Sequence, residues 1–230
     1  MGTTLETLQK IPLFAGLSDD NTRRLLTLVR EKQVERDEQI IRQSDPGSSM
    51  FVILDGRVKV SLHGEDGKEV ILTVLKTGDF FGEMSLLDGQ PRSATVRSLE
   101  STRLLVLERT ALLQILKHEP EVGLTILAEM SRRLRIADQN IKSLALLDVY
   151  GRVARALRML CREEGVQAGT NVVIENRPTH QDLAARAGTS RETVSRIVGD
   201  LIRAGFITMD TRRLIVHNEF LSETDNPDLA

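Results

Sequence analysis

A single cysteine, Cys161, among 230 residues excludes an internal disulfide framework. One thiol also cannot supply a Cys-rich zinc site or an iron–sulfur cluster within one subunit, so Cys161 reads as a small core residue. No apolar run approaches the roughly 20 residues needed to cross a bilayer, and no membrane span is expected. The opening Met1-Gly2-Thr3-Thr4-Leu5-Glu6 lacks a basic stretch followed by an apolar core. No secretory signal is therefore expected, and the cytoplasm is the default location. Cys/His or Ser/His arrangements, a nucleotide-triphosphate loop and metal-ligand spacings are all missing, which argues against an enzyme and against a bound metal.

Lysine is missing from one long stretch, and its absence marks a change in charge along the chain. Between Val149 and Asn218 there are eleven Arg, no Lys and seven Asp or Glu, a local +4. The net charge of the chain is −2, so the remainder carries −6. A basic C-terminal segment on an acidic body is the asymmetry expected of a phosphate-binding module joined to a sensor.

Hydrophobic periodicity divides the chain into three parts. Leu5 to Phe14 and the stretch after Ser18-Asp19-Asp20 read as short helices, with Ser18 and the two Asp as caps. The helical stretch includes Leu25, Leu26, Leu28 and Val29. From about Glu35 to Leu107 the period is two, in Phe51-Val52-Ile53-Leu54, Val58-Lys59-Val60-Ser61-Leu62 and Val70-Ile71-Leu72-Thr73-Val74-Leu75. Turns at Asp45-Pro46-Gly47, Asp55-Gly56, Gly64-Glu65-Asp66-Gly67, Thr77-Gly78-Asp79 and Asp88-Gly89 punctuate these strands, as in an antiparallel barrel or jelly roll. Pro120 to about Leu147 returns to helical period. Its Leu127, Met130, Leu134, Ala137, Ile141 and Leu144 alternate three and four apart, the a/d seam of a coiled coil. A second copy of the chain is the simplest partner for such a seam, and packing on its own barrel is the alternative.

The C-terminal part predicts a helix around Val153, Ala156, Leu157 and Leu160, two more over Gln181 to Ala187 and Ser190 to Ala204, and a hairpin over Phe206 to Val216. Helix, Gly turn, helix and hairpin outline a winged helix-turn-helix. Thr179 and Ser190 cap the two helices and Gly188 supplies the turn. Leu183, Ala184, Ala187, Val194 and Ile197 pack them together, while Arg191, Glu192 and Arg196 share the opposite face of the second helix near its N-terminus. Arg can bind guanine through two hydrogen bonds and Glu can accept from cytosine. The stretch Ser190-Arg191-Glu192-Thr193-Val194-Ser195-Arg196 closely resembles the recognition helix of the cyclic-AMP receptor and fumarate–nitrate reduction (Crp/Fnr) regulators. The resemblance implies TGTGA-like half-sites in an inverted repeat of double-stranded DNA. Arg191, Glu192 and Arg196 would lie on base edges, and Thr179, Ser190 and Thr193 on phosphates, with Gln181 at the same interface.

Gly78-Asp79-Phe80-Phe81-Gly82-Glu83-Met84-Ser85-Leu86-Leu87, followed by Pro91-Arg92-Ser93-Ala94-Thr95-Val96, places charged groups where strands should bury hydrophobes. A bound phosphate accounts for them together: Arg92 and Ser93 donate to its oxygens, the amides at the start of a short Glu83–Leu87 helix add a positive dipole, and Glu83 accepts from a ribose hydroxyl. A buried Arg92–Glu83 salt bridge serving structure alone is the alternative. The segment resembles the phosphate-binding cassette of cyclic-nucleotide-binding domains, with a likeness to the family running from about Ile11 to Asn218. That implies Gly82, Glu83, Met84, Arg92 and Ser93 around a ribose–phosphate and Arg133 approaching from the long helix.

One departure bears on the effector. Where cyclic-AMP receptors present a Thr, and a Ser from the other subunit, to the adenine edge, this chain has Ala137 and Asp138. Ala137 cannot hydrogen-bond a base, whereas Asp138 can accept from an exocyclic amine or from guanine N–H groups. Cyclic AMP is the first expectation, with cyclic GMP, cyclic di-GMP or no effector as alternatives. The expected fold is α+β. It comprises a double-stranded β-helix (jelly-roll) sensor over 1–110, a dimerisation helix over 111–147, a winged helix-turn-helix over 148–218 and an acidic, frayed tail over 219–230. The expected partners are DNA, a second copy of the chain and, by resemblance, RNA polymerase. A cyclic-nucleotide-binding regulatory module without DNA function is the reading from another class.

Overall fold

The computed structural model describes residues 4–64 and 67–222, and the chain divides into two compact units, residues 1–137 and 138–230. In the first unit, α1 (Leu5–Gln9), a 3-10 turn (Pro12–Phe14) and α2 (Asp19–Leu28) precede eight strands. The Ser18 hydroxyl caps α2 by accepting from the Asn21 amide at 3.3 Å. Val29, expected on that helix, instead opens β1 (Val29–Val34), which pairs in register with Leu107 to Thr102. β2 (Gln39–Ile41), β3 (Ser49–Asp55), β4 (Arg57–His63), β5 (Glu69–Lys76) and β6 (Phe80–Phe81) follow. Next come α3 (Glu83–Asp88), β7 (Thr95–Ser98) and β8 (Thr102–Glu108).

The strands form two antiparallel four-stranded sheets, β1-β8-β3-β6 and β2-β7-β4-β5. All eight contribute to one interior of Val34, Ile41, Phe51, Ile53, Val58, Leu75, Phe81, Val96, Leu104 and Val106, as in a jelly roll. The other face of β1-β8-β3-β6 is covered by α1, α2, α4 (Arg109–His118) and the start of α5 (Pro120–Leu146) through Leu8, Leu25, Leu112 and Ile126. Because that sheet is buried on both sides, Met50 to Leu54 are all buried and the expected in–out alternation in β3 does not occur. The expected 111–147 helix is two helices, separated at Glu119, whose non-helical backbone precedes Pro120. Along α5 the side chains of Leu127, Leu134, Ile141 and Leu144 are exposed, with Leu134 at 63% and Ile141 at 64%.

The second unit contains the end of α5, then α6 (Val149–Glu164), β9 (Val166–Ala168), β10 (Asn171–Ile174), α7 (His180–Ala187), α8 (Arg191–Arg203), β11 (Ile207–Met209), β12 (Leu214–Val216) and α9 (Asn218–Ser222). Its sheet runs β11-β12-β10-β9. The β9–β10 hairpin was not expected from the sequence, because both strands are three or four residues long and mostly unburied. Val153, Leu157 and Leu160 of α6 pack with Leu183, Ala184 and Ala187 of α7 and Val194, Ile197 and Leu201 of α8. Cys161 lies in the same core, and burial pushes its thiol up to about 11. The segment from Glu219 was expected to fray, but α9 docks Phe220 into this core, 3% exposed. The rest of that tail lies outside the described residues.

Leu157 is fully buried at the junction of the three helices. Leu157→Ala should destabilise this unit by about 2–5 kcal/mol. Urea unfolding followed by Tyr150 fluorescence would read this unit, since the chain has one Tyr and no Trp.

Candidate effector cassette and nucleic-acid interface

The cassette is built at the end of β6, where Phe81 pairs with Phe51 and the chain turns through Gly82 at φ +82°. A Cβ on Gly82 would lie 2.8 Å from Arg92 Nη1, and one on Gly47 would collide with Arg92 Nε. Two glycines thus make room for one guanidinium. Arg92 is 8% exposed; its Nη1 donates to the Gly82 carbonyl at 2.8 Å and its Nη2 to the Ser49 carbonyl at 2.7 Å. Its own amide donates to the Asp45 carbonyl at 2.8 Å, tying the loop to the Asp45-Pro46-Gly47 turn. Burial holds the Arg92 pKa below its ordinary value, against the opposing charges of Glu83 and Glu108.

The alternative of an Arg92–Glu83 salt bridge is overturned, because Glu83 pairs with Arg133. Glu83, the first residue of α3, is 2% exposed, and its Oε1 accepts from Arg133 Nη1 at 3.0 Å. Its Oε2 is buried without a hydrogen-bond partner. Burial, the larger effect, raises the Glu83 carboxyl above its ordinary range, and the Arg133 charge opposes it. Arg133 also donates to Glu129 Oε1 at 2.7 Å and to the Phe80 carbonyl, with its cation 5.0 Å from the centre of the Phe80 ring. Glu129 is held below the usual carboxylate range by hydrogen bonds from Arg132 and Arg133.

The structure therefore brings Gly82, Glu83, Arg92 and Arg133 together. Met84 and Ser93 are exposed beside them, with the Ser93 hydroxyl 3.5 Å from the Met84 sulfur. Ala137 and Asp138 are exposed one turn beyond Arg133 on α5. Ser49, Phe80 and Glu129 were not singled out from the sequence; two of them act through backbone carbonyls, which leave no signature in residue type.

In the second unit, Thr179 caps α7 in a reciprocal box. Its hydroxyl accepts from the Asp182 amide at 3.0 Å, and Asp182 Oδ2 accepts from the Thr179 amide at 3.1 Å. Gly188, at φ +60°, ends α7 by donating to the Ala184 carbonyl. The Ser190 hydroxyl caps α8, accepting from the Thr193 amide at 3.2 Å. These caps place Arg191, Glu192, Ser195 and Arg196 around an open groove of about 530 Å³. At about 100° per residue the four side chains span an arc of about 140° on α8. The Glu192 carboxyl is held low by its own backbone amide and the Ser190 hydroxyl. Gln181 is exposed at the start of α7. Arg152 fixes the turn, donating to the Ala187 carbonyl at 3.0 Å. Ser195 is exposed on α8, three and four residues from Glu192 and Arg191, and Arg177 before α7 and Thr211 in the β11–β12 turn are exposed as well; their places in the register are the signal the sequence carries for them.

Residues 31–119 match the cyclic nucleotide-binding domain, and residues 151–219 match the Crp-like helix-turn-helix domain. The chain is 34% identical over 212 residues to the cyclic AMP receptor protein of Thermus thermophilus, covering 92% of this chain and 95% of that one. The chain belongs to the Crp/Fnr family of DNA-binding transcription regulators. It is also 28% identical to the CRP-like cAMP-activated global transcriptional regulator of Mycobacterium tuberculosis, over 92% of this chain and 94% of that one. In fold it is similar to the c-di-GMP-responsive global regulator CLP of Xanthomonas campestris, with a TM-score of 0.78 at 23% identity over 87% of this chain and 99% of that one. Among the described residues no cluster of potential metal ligands occurs, and no helix is long and apolar enough to cross a membrane.

A raised carboxyl pKa in the fold means that Glu83 favours the native state when protonated. Its contribution is fullest below the unfolded carboxyl pKa and is lost as pH rises through the higher folded value. Glu83→Gln should therefore raise the melting temperature of the ligand-free protein at neutral pH. The gain should vanish in acid, where Glu83 is itself protonated, as calorimetry at both pH values would show.

Proposed function

We propose that the protein is a homodimeric transcription regulator that reads TGTGA-like half-sites in an inverted repeat and is gated by a cyclic nucleotide, cyclic AMP first. The observation that carries the DNA reading is the exposed Arg191, Glu192 and Arg196 face of α8, set by two capped helices and a left-handed glycine. Arg191 and Arg196 offer two parallel N–H donors to guanine O6 and N7, and Glu192 accepts from cytosine N4. Thr179, Gln181, Ser190 and Thr193 would contact backbone phosphates.

Dimerisation follows from the exposed α5 seam, since a row of Leu and Ile side chains in water is unfavourable until a second copy covers it. Two-fold pairing would set the recognition helices about 34 Å apart, one turn of DNA. RNA polymerase is the expected further partner, and the cytoplasm the expected location.

For the effector, the Glu83 Oε2 without a partner is a vacancy in hydrogen bonding that a ribose hydroxyl would fill. Arg92 and Ser93 donate to the phosphate, Gly82 and Met84 shape the backbone around it, and Arg133 can exchange its bond to Glu83 for one to the ligand. Ala137 and Asp138 would lie near the base. Ala137 has no hydrogen-bonding group and Asp138 can accept from an exocyclic amine or from guanine N–H groups, which keeps cyclic GMP, cyclic di-GMP and effector-independent binding as the second reading. An effector shifts the protein only if it prefers the DNA-competent state.

Fluorescence anisotropy of a labelled inverted-repeat duplex at fixed salt tests this, with each nucleotide added in turn. Cyclic AMP should tighten binding severalfold, and Arg191→Ala should cost about 1–3 kcal/mol and relax specificity at one base. Tight binding unchanged by any nucleotide would establish the effector-independent reading, and no change with Arg191→Ala would leave a nucleotide-binding module without DNA function. Because Arg92 also holds the Gly82 and Ser49 carbonyls, Arg92→Gln, which keeps a hydrogen-bonding side chain there, is the probe of effector response. It should abolish activation by cyclic AMP with binding of unliganded protein retained. Ile141→Glu should shift light-scattering mass from dimer to monomer.

A further inference from the structure

Beside the recognition groove lies a second cleft of about 630 Å³, walled by Arg177, Thr179, His180, Arg191 and Thr211. Three separate elements supply its cationic or ionisable groups. Arg177 lies in the loop before α7, His180 is the first residue of α7, and Arg191 is the first residue of α8. Thr211 closes it from the β11–β12 turn. No carboxylate lines it. Two acidic residues of the adjoining elements are engaged elsewhere: Asp182 accepts from the Thr179 amide, and Asp210 accepts from the amides of Arg212 and Arg213. Asp210 is also close enough to feel the Arg177 charge, and Arg177 Nη1 donates to the Asp210 carbonyl at 3.0 Å. Glu192, next to Arg191, is drawn towards its own amide and the Ser190 hydroxyl.

We propose that this cleft seats a DNA backbone phosphate and that His180 takes up a proton as the phosphate enters, so that DNA binding is coupled to the charge of one histidine. The proposal rests on α8 facing DNA. Burial first and then the Arg177 and Arg191 charges hold the His180 imidazole below its ordinary pKa, which favours its uncharged form. A phosphate brings a negative charge into the same space and reverses that balance, because the charged form of a base is favoured by an anion within a few ångströms. Between the free and bound pKa values, binding of DNA then takes up a proton. Affinity falls as pH rises through that window, by up to tenfold for each unit of displacement, and is flat above it. The contact is to phosphate, so it acts on DNA of any sequence.

The test is anisotropy of a labelled mixed-sequence duplex with the full-length protein at low, fixed salt, titrated from about pH 5.5 to about pH 8.5. Wild type, His180→Gln and His180→Arg are compared, so that the other three of the four histidines contribute equally to each. Wild type should lose about tenfold in affinity across the range. His180→Gln should flatten that dependence, and His180→Arg should hold the low-pH affinity at the alkaline end. Equal pH dependence in wild type and His180→Gln, or no gain from His180→Arg at high pH, would overturn the proton-coupled seat while leaving DNA binding in place. Failure of the duplex to bind at any pH would overturn both.

Discussion

The carboxylate of Glu83 is buried with one oxygen on Arg133 and the other on nothing, and the N-terminal unit is arranged around that imbalance. A buried charge with half its hydrogen-bonding capacity unused costs stability. The jelly roll bears the cost because its two cores, one between the sheets and one under the helices, bury large apolar side chains from every strand. The same carboxylate links two elements distant in sequence. Gly82 turns it inward at the head of α3, and Arg133 reaches it from α5, the helix that carries the exposed apolar seam. Glu83 and α5 are therefore joined through the one side chain of Arg133.

Arg92 complements this arrangement. Its guanidinium donates to two backbone carbonyls, which ties the loop holding Ser93 to Gly82 and Ser49. In the second unit the same economy appears in hydrogen bonds: Thr179, Gly188 and Ser190 each satisfy orphan backbone groups at a helix end. Leu183, Ala184, Ala187, Val194 and Ile197 pack α7 and α8 into one core, which leaves Arg191, Glu192 and Arg196 exposed together on α8.

Much of this was legible in residue order. Caps, the glycine turn and the apolar positions between α7 and α8 carry strong local signals, and each falls where its chemistry requires. The cassette was visible as charge where hydrophobes belong. What the sequence hid has physical causes. β3 lost its alternation because helices cover its outer face as well as its inner one. Val29 left its helix because the partner strand around Leu107 claims it. The pairing of Glu83 with Arg133 instead of Arg92 depends on a contact fifty residues apart, beyond any local pattern. Phe220 folds back into a core that its acidic neighbours conceal.

Hydrogen–deuterium exchange of the full-length protein with and without saturating cyclic AMP would show whether satisfying Glu83 is transmitted to α5 through Arg133. Slower exchange is expected both across Gly82 to Ser93 and along α5 from Arg133 to Ile141. Protection confined to the cassette, with α5 unchanged while the nucleotide is bound, would mean that Arg133 transmits nothing.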